Sequence, residues 1–545
     1  MERESKRHVV VLSLLIVVGL SAYLRLLGIT WGLNSGYGHY LNFHPDEFIS
    51  IRGMLPIELR TGKLHAPDAY FEGTFNYYLW AMPKTLYELC SHARPVIDQN
   101  MSAEQFKFVL LSGRLMSVAF DLATVLLLFL IVREVTEKTA AGILAALVYG
   151  VIPIQVIYSH FMRTYSLSNF LCALVIWFSI KVLRRRYWLL FFITGVVAGL
   201  ATATRYPAGA VIGIPCALVL FQRHASNEPW RHRFGTSLMY LLSGPLWLLS
   251  AGFVFGLFVG EPMLFLNFRS VVHEISFEMS HYAPAGARNP FDLKPLWRYT
   301  SILIPYATYP LLWLLIYIST LYVILRRCLW PTVVPLCLFA ALYTYAMAKG
   351  YLAAYARLTM LLMPVFCMFV GLAFGGILPK LMKRPLLCRL VIILMLLLLL
   401  PSVLFDWAYG RAMSQRDVRE LLRNDVRELI KDRRATTIAV SEGGYYFYTA
   451  MPAVFPLKSG NVAVQLESAA TTPADFFVVG FERPLAENSR DATIRRIESA
   501  EKYRFVEMRS RAPSIFGKSF DLSKFPPDMT YPFPTIFVFR KLTEP

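Results

Sequence analysis

Eleven long apolar runs divide this chain and leave few folds open to it. They lie at roughly 9–27, 109–131, 140–158, 167–183, 188–204, 208–221, 238–259, 301–325, 331–348, 358–378 and 390–404. A bilayer core needs about 20 mostly apolar residues per helix. Only helices and closed barrels satisfy their backbone polar groups in hydrocarbon, and unbroken runs of this length mean helices. Hydrophobic residues make up 56% of the chain, and the mean hydropathy is +0.47, whereas soluble proteins have about 45–50% apolar residues. The expected fold class is an α-helical integral membrane bundle of about 11 transmembrane helices, with long extracytoplasmic loops and a small C-terminal α/β domain.

The loops between the runs orient the bundle. With the N-terminus (Arg3, Lys6, Arg7) in the cytoplasm, the alternate short loops carry Arg133 and Lys138, then Lys181 with Arg184–Arg186, then Arg223, Arg231 and Arg233, then Arg326 and Arg327, and finally Lys380, Lys383, Arg384 and Arg389. Every short inner loop is basic, as the positive-inside rule requires. The net charge of +19 follows from this pattern, so membrane lipids are expected partners and nucleic acid is not. The first run continues to Arg25 and ten more follow it, which favours an uncleaved first helix over a removed signal peptide. Of seven cysteines only Cys90 lies clearly outside a run on the outer side, so no external disulfide pair is expected.

Two long loops, 28–108 and 260–300, and everything from about 406 onward then fall outside. Residues 1–405 form the membrane domain and 406–545 an extracytoplasmic α/β domain. The spacing of Val418, Leu421, Leu422, Val426, Leu429 and Ile430 predicts a helix within 414–433. Strand-like runs follow at Thr437–Ser441, Asp475–Val479, Tyr503–Met508 and Thr535–Phe539. No fixed-period repeat is evident.

The first external loop contains His44-Pro45-Asp46-Glu47. One of two adjacent carboxylates can take a proton from an attacking hydroxyl while the other orients a partner or a metal; read alone, the pair is equally a solvated acidic turn. Its surroundings are Tyr23-Leu24-Arg25-Leu26-Leu27-Gly28 before it and Tyr70-Phe71-Glu72-Gly73-Thr74-Phe75-Asn76-Tyr77-Tyr78-Leu79 after it. With this context the chain resembles the C-type membrane glycosyltransferases, which include protein O-mannosyltransferases and lipid A aminoarabinose transferases. Ser159-His160-Phe161-Met162-Arg163, the stretch Gly199 to Pro207 with Arg205, and Arg357 through Pro364 extend the resemblance over roughly residues 10–405. Two departures stand out: the Glu72 stretch lacks the proline pair of the aminoarabinose transferases, and Arg163-Thr164-Tyr165 stands where several relatives carry an acidic residue.

The resemblance implies a polyprenyl-phosphate sugar donor, a hydroxyl acceptor on a lipid, protein or glycan, and inversion at the sugar carbon. Asp46 is then the candidate base, with Glu47 beside it. The leaving phosphate gains negative charge as the bond breaks, so cations at the outer rim stabilise the transition state more than the ground state. Arg205, Arg357 and Lys349 are the candidates, and each can equally be a side chain snorkelling to headgroups. His44, Glu72, His160 and Arg163 complete the substrate-binding set. A divalent metal is the one candidate cofactor, with Glu47, Glu72, His273, Glu274, Glu278 and His281 as possible ligands. The last four also suit an amphipathic surface helix with Phe268, Val271, Val272, Ile275 and Met279 on its apolar side.

Arg25, Arg114 and Asp121 lie within apolar runs, where ionisable groups face a partner or a cavity. Asp121 can pair with Arg114 two turns away or with Arg25. Asn100-Met101-Ser102 matches a glycosylation sequon. Two rival functions remain at this stage. A transporter or flippase would place polar groups near the midplane on broken helices and show related halves, whereas the candidate residues here gather in external loops. A scaffold would tolerate loss of Asp46.

Overall fold

The structure is a computed structural model. It describes residues 2–33, 43–66, 69–90, 101–185, 187–222, 244–282, 292–326, 329–350, 355–431, 436–442, 450–454, 457–458, 461–466, 474–501 and 503–542. Within these, all eleven apolar runs coincide with helix. By length and composition, six helices can each cross a membrane, and up to eight spans result if two bent pairs count as one span each. Trp188–Thr204, Tyr206–Leu218 and Gly244–Gly260 are shorter apolar helices, so a count of about 11 needs these to cross as well. Both bends occur at proline. Thr139–Gly150 and Pro153–Ser159 meet at 61°, and Lys294–Thr308 and Pro310–Leu325 at 114°. Proline lacks the N–H that would continue the ladder, and it drives the preceding residue out of the helical region.

The chain forms two compact units, each discontinuous in sequence. The first comprises Met1–Leu26, Arg52–Arg94 and Ser112–Asp406; the second comprises Leu27–Ile51, Pro95–Leu111 and Trp407–Pro545. The first unit holds most of the apolar helices, including α1 (Glu2–Leu26). Leu15, Ile16, Leu396 and Leu397 are more than half exposed, as lipid-facing side chains are.

A buried polar network ties three helices of this unit together. Arg25 of α1 binds Asp121 at 2.5 Å, and both side chains are fully buried. Arg25 also donates to the Ser21 hydroxyl and to Gly150 O, each at 2.7 Å, while the Tyr149 hydroxyl donates to Asp121 at 2.6 Å. Asp121 therefore pairs with Arg25, one of the two alternatives open from the sequence.

Two further helices of the first unit pack backbone to backbone, Trp188–Thr204 and Gly244–Gly260. A Cβ placed on Gly195 would lie 2.1 Å from Leu249 O, one on Gly252 2.1 Å from Phe192 O, and one on Gly256 2.1 Å from Val196 O. Glycine four residues after glycine on both helices is the close-packing pattern of membrane helices, where small residues rather than the hydrophobic effect allow association.

The second unit contains a five-stranded sheet. Its strands are β1 (Thr436–Glu442), β2 (Val462–Leu466), β3 (Phe476–Phe481), β4 (Tyr503–Ser510) and β5 (Thr535–Lys541). The order is β2-β1-β3-β5-β4; β1 runs parallel to β2 and β3, and β5 runs antiparallel to β3 and β4. Alternate side chains serve opposite faces. Ile438, Val440, Phe476, Val478, Ile536 and Val538 pack with Leu422 and Val426. Ala439, Phe477, Val479, Phe537 and Phe539 pack with Ile497 and Tyr503. The central strands are thus buried on both sides.

The four strands expected from sequence are present, longer by a residue or more. The expected helix is Val418–Ile430, capped where the Asp417 side chain accepts the Arg419 N–H. Strand β2 and the helix Glu487–Glu501 were not expected.

Candidate active site

The acidic motif belongs to the second unit. Phe43 to Asp46 form a turn that enters the helix Glu47–Met54, which places the Glu47 carboxyl in the first turn, where a helix favours negative charge. Both His44 and Glu47 are fully buried, and Asp46 is 7% exposed. The His44 ring nitrogen Nδ1 accepts the Asp46 N–H at 3.1 Å, and Asp46 O accepts the Ser50 N–H at 3.4 Å. The motif is therefore not the solvated turn that the four letters also allow.

Residues of the C-terminal segment lie against it. Arg419 donates to Phe43 O at 3.1 Å, and the His44 ring meets the Tyr531 ring edge-on at 5.2 Å. A cavity of about 370 Å³ opens in the same unit, lined by Trp31, Gln415, Arg416, Asp417 and Glu420 among others. Burial, followed by the Asp417 charge, raises the pKa of the Glu420 carboxyl.

The other candidates lie in the first unit, where a second segment of the 28–108 loop makes a tight turn over Tyr70–Glu72. Gly73 follows with φ +92°, and a Cβ there would lie 2.4 Å from Ala203 O, so both conformation and space require glycine. Two carboxylates receive the turn's N–H groups. Glu274 accepts from Tyr70 at 2.7 Å, and Glu261 accepts from Thr74 at 2.6 Å. The Tyr206 hydroxyl donates to Tyr70 O at 2.7 Å, the Thr74 hydroxyl to Gly260 O at 2.9 Å, and the Asn76 amide to Thr204 O at 2.9 Å. Burial pushes the Glu261 carboxyl up to about 8, against the opposing effect of its Thr74 hydrogen bonds and with a smaller upward push from Glu274.

This turn presents Glu72 to Arg163, and the two form a buried ion pair. Arg205, also buried, lies over the Tyr165 ring at 4.4 Å and directly precedes Tyr206. Glu72 and Arg163 thus pair directly, and Arg205 packs on Tyr165, two residues after Arg163. Arg357 is buried over the Tyr355 ring at 4.1 Å. Lys349 donates to Asp292 O, and the His160 ring shares a 2.7 Å hydrogen bond with Val156 O.

His273 is exposed and Glu278 half-buried on the helix Phe268–Tyr282, while Glu274 is engaged by the turn. The side chain of His281 and the asparagine of the sequon, Asn100, lie outside the described residues. Among the described residues no three His, Cys, Asp or Glu side chains gather as metal ligands do.

Sequence reading did not single out Trp31, Asp417, Arg419, Thr74, Tyr206 or Glu261. Asp417 and Arg419 are two residues apart, but the other contacts that place these residues reach more than a hundred residues along the chain, so no local spacing marks them. The one local signal was the position of Glu261, immediately after an apolar run.

The apolar helices mark a multi-pass membrane protein. Residues 99–257 match the family model described as dolichyl-phosphate-mannose-protein mannosyltransferase, and this match supports the C-type membrane glycosyltransferase superfamily. The chain also resembles the crystal structures of ArnT from Cupriavidus metallidurans bound to undecaprenyl phosphate (12% identity, 98% of each chain covered, TM-score 0.43) and in the apo state (13% identity, 99% of this chain and 98% of that chain, TM-score 0.42). No curated protein sequence matches it.

Proposed function

We propose that the protein is a membrane glycosyltransferase that moves a sugar from a polyprenyl-phosphate donor to a hydroxyl acceptor on the extracytoplasmic side of the cell (inner) membrane, with its N-terminus in the cytoplasm. The observation that carries this reading is the family match over residues 99–257.

In the proposed reaction the acceptor oxygen attacks the anomeric carbon in line with the departing phosphate, and one displacement inverts that centre. Asp46 takes the hydroxyl proton. The bond between the sugar and the phosphate oxygen breaks, and its electron pair leaves with the polyprenyl phosphate, which becomes more negative by one charge. Arg205, Arg357 and Lys349 are the proposed cationic partners of that growing charge, and Arg163, held by Glu72, is proposed to bind substrate with them. Glu47, at the helix start, supports the Asp46 turn.

No step requires a metal. A divalent ion at Glu47, or at Glu72 with Glu274, remains a separate proposal, and it is tested by chelation and re-addition. The acceptor is a lipid, a protein hydroxyl or a glycan.

The test offers radiolabelled polyprenyl-phosphate sugars to membranes containing the protein or its Asp46→Asn variant. Label entering a new product with the unaltered protein alone supports the reading. Label crossing the membrane without a new product identifies a flippase instead.

A further inference from the structure

One side chain of the C-terminal segment, Arg419, grips the residue that precedes the acidic motif. Arg419 is fully buried. Its Nε donates to Asp417 Oδ1 at 2.8 Å and its Nη2 to Asp417 Oδ2 at 3.0 Å, a forked pair. Nη1 donates to Phe43 O at 3.1 Å and Nη2 also to Tyr531 O at 3.3 Å. The guanidinium plane lies 4.4 Å from the Phe43 ring centre and 5.4 Å from that of Trp31. Trp31 Nε1 in turn donates to Asp417 Oδ2 at 2.9 Å. One planar cation therefore ties together the start of the Val418–Ile430 helix, the Tyr531 segment and the residue just before His44.

The grip continues to the candidate base. Phe43 is fixed at its carbonyl and its ring, His44 is fixed against Tyr531, and the His44 ring holds the Asp46 N–H. A buried ion pair is a poor route to stability, because packed apolar residues of the same volume often serve as well. It supplies direction: a rigid fork with five N–H donors sets where a carbonyl sits in a way that apolar packing and a lysine do not.

We propose that Arg419 is a positioning residue for the transfer reaction, setting the 43–46 segment so that the Asp46 carboxylate meets the acceptor hydroxyl. This rests on the function proposed above, and it gives the C-terminal domain a part in the chemistry.

The test uses the full-length protein in membranes or detergent. Arg419→Lys keeps the charge and loses the fork. Asp417→Asn combined with Arg419→Met removes both charges, so that no buried ion is stranded. With labelled donor, both variants should lose about 10–10² in kcat, the cost of a misplacement on the order of 1 Å, while the donor KM stays within about threefold. Amide exchange should speed about tenfold or more over residues 43–50 and stay unchanged in β1, β3 and β5. Unchanged kcat overturns the proposal. So does exchange that rises equally in the sheet, which marks Arg419 as a general stabiliser, or exchange that rises nowhere. If the unaltered protein transfers no sugar from any polyprenyl-phosphate donor, the functional reading fails by itself, and the exchange result still decides whether Arg419 sets the segment.

Discussion

Two stretches of the same long loop, residues 28–108, are held in opposite chemical ways. Around Phe43–Asp46 a cation grips carbonyl oxygens: Arg419 donates to Phe43 O and Tyr531 O. Around Tyr70–Thr74 carboxyl oxygens grip N–H groups: Glu274 and Glu261 accept from Tyr70 and Thr74. A guanidinium keeps its charge at every pH a protein survives. A buried carboxyl does not, and Glu261 titrates near 8. The first stretch should therefore hold its shape across pH and the second should loosen as its anchor changes state. A base such as Asp46 gains from the first kind of support.

The largest effect expected is at the base itself. Asp46→Asn should lower kcat by about 10²–10⁴, the usual worth of a positioned general base, with the protein still inserting and its unfolding midpoint kept; an active variant would remove Asp46 from the chemistry.

Arg163→Met should come next. It leaves Glu72 buried without its partner and should cost about 3–5 kcal/mol, read as a lower unfolding midpoint in detergent. Adding Glu72→Gln should recover most of the loss, and no recovery would mean that the pair is not the relevant contact.

Gly73→Ala tests the turn's geometry. A positive φ at a residue with a side chain costs about 1–3 kcal/mol, and the new Cβ also meets Ala203 O. Exchange should rise in 70–78 and stay unchanged in 43–50; a coupled rise would end the contrast between the two stretches.

The effect of pH is the most diagnostic. The folded pKa of Glu261 is raised from 4.5 to about 8, so the folded state binds the proton more tightly than the unfolded chain. Its favourable contribution is complete below pH 4.5 and falls as pH rises through 8, by up to about 1.4 kcal/mol per pH unit in that window. Glu261→Gln, which cannot ionise, should flatten that part of the stability profile. An identical profile in both proteins would remove Glu261 as the source.

The helical runs were legible because hydrocarbon imposes length and apolarity, and the basic inner loops supported one orientation. The Asp46–Glu47 motif was legible as a type but not as a buried site, because burial depends on Arg419 and Tyr531 far along the chain. Arg419 itself reads as a charge on an amphipathic helix, a position normally left to solvent. Strand β2 is short, and Glu487–Glu501 carries Ile494 and Ile497 amid charges, too few for an apolar stripe. The Gly195/Gly199 and Gly252/Gly256 spacings were visible in the sequence, but pairing them required knowing which helices are neighbours.

Those glycines reach beyond packing. The helices they join end at Thr204 and Gly260, and the atoms just there, Ala203 O, Thr204 O, Gly260 O and the Glu261 carboxyl, are the ones that meet the 73–76 turn. At Gly195, Gly199, Gly252 and Gly256 no side chain separates the two backbones. The glycine contacts that set how closely the two helices approach therefore also set the spacing of the atoms that hold the 73–76 turn.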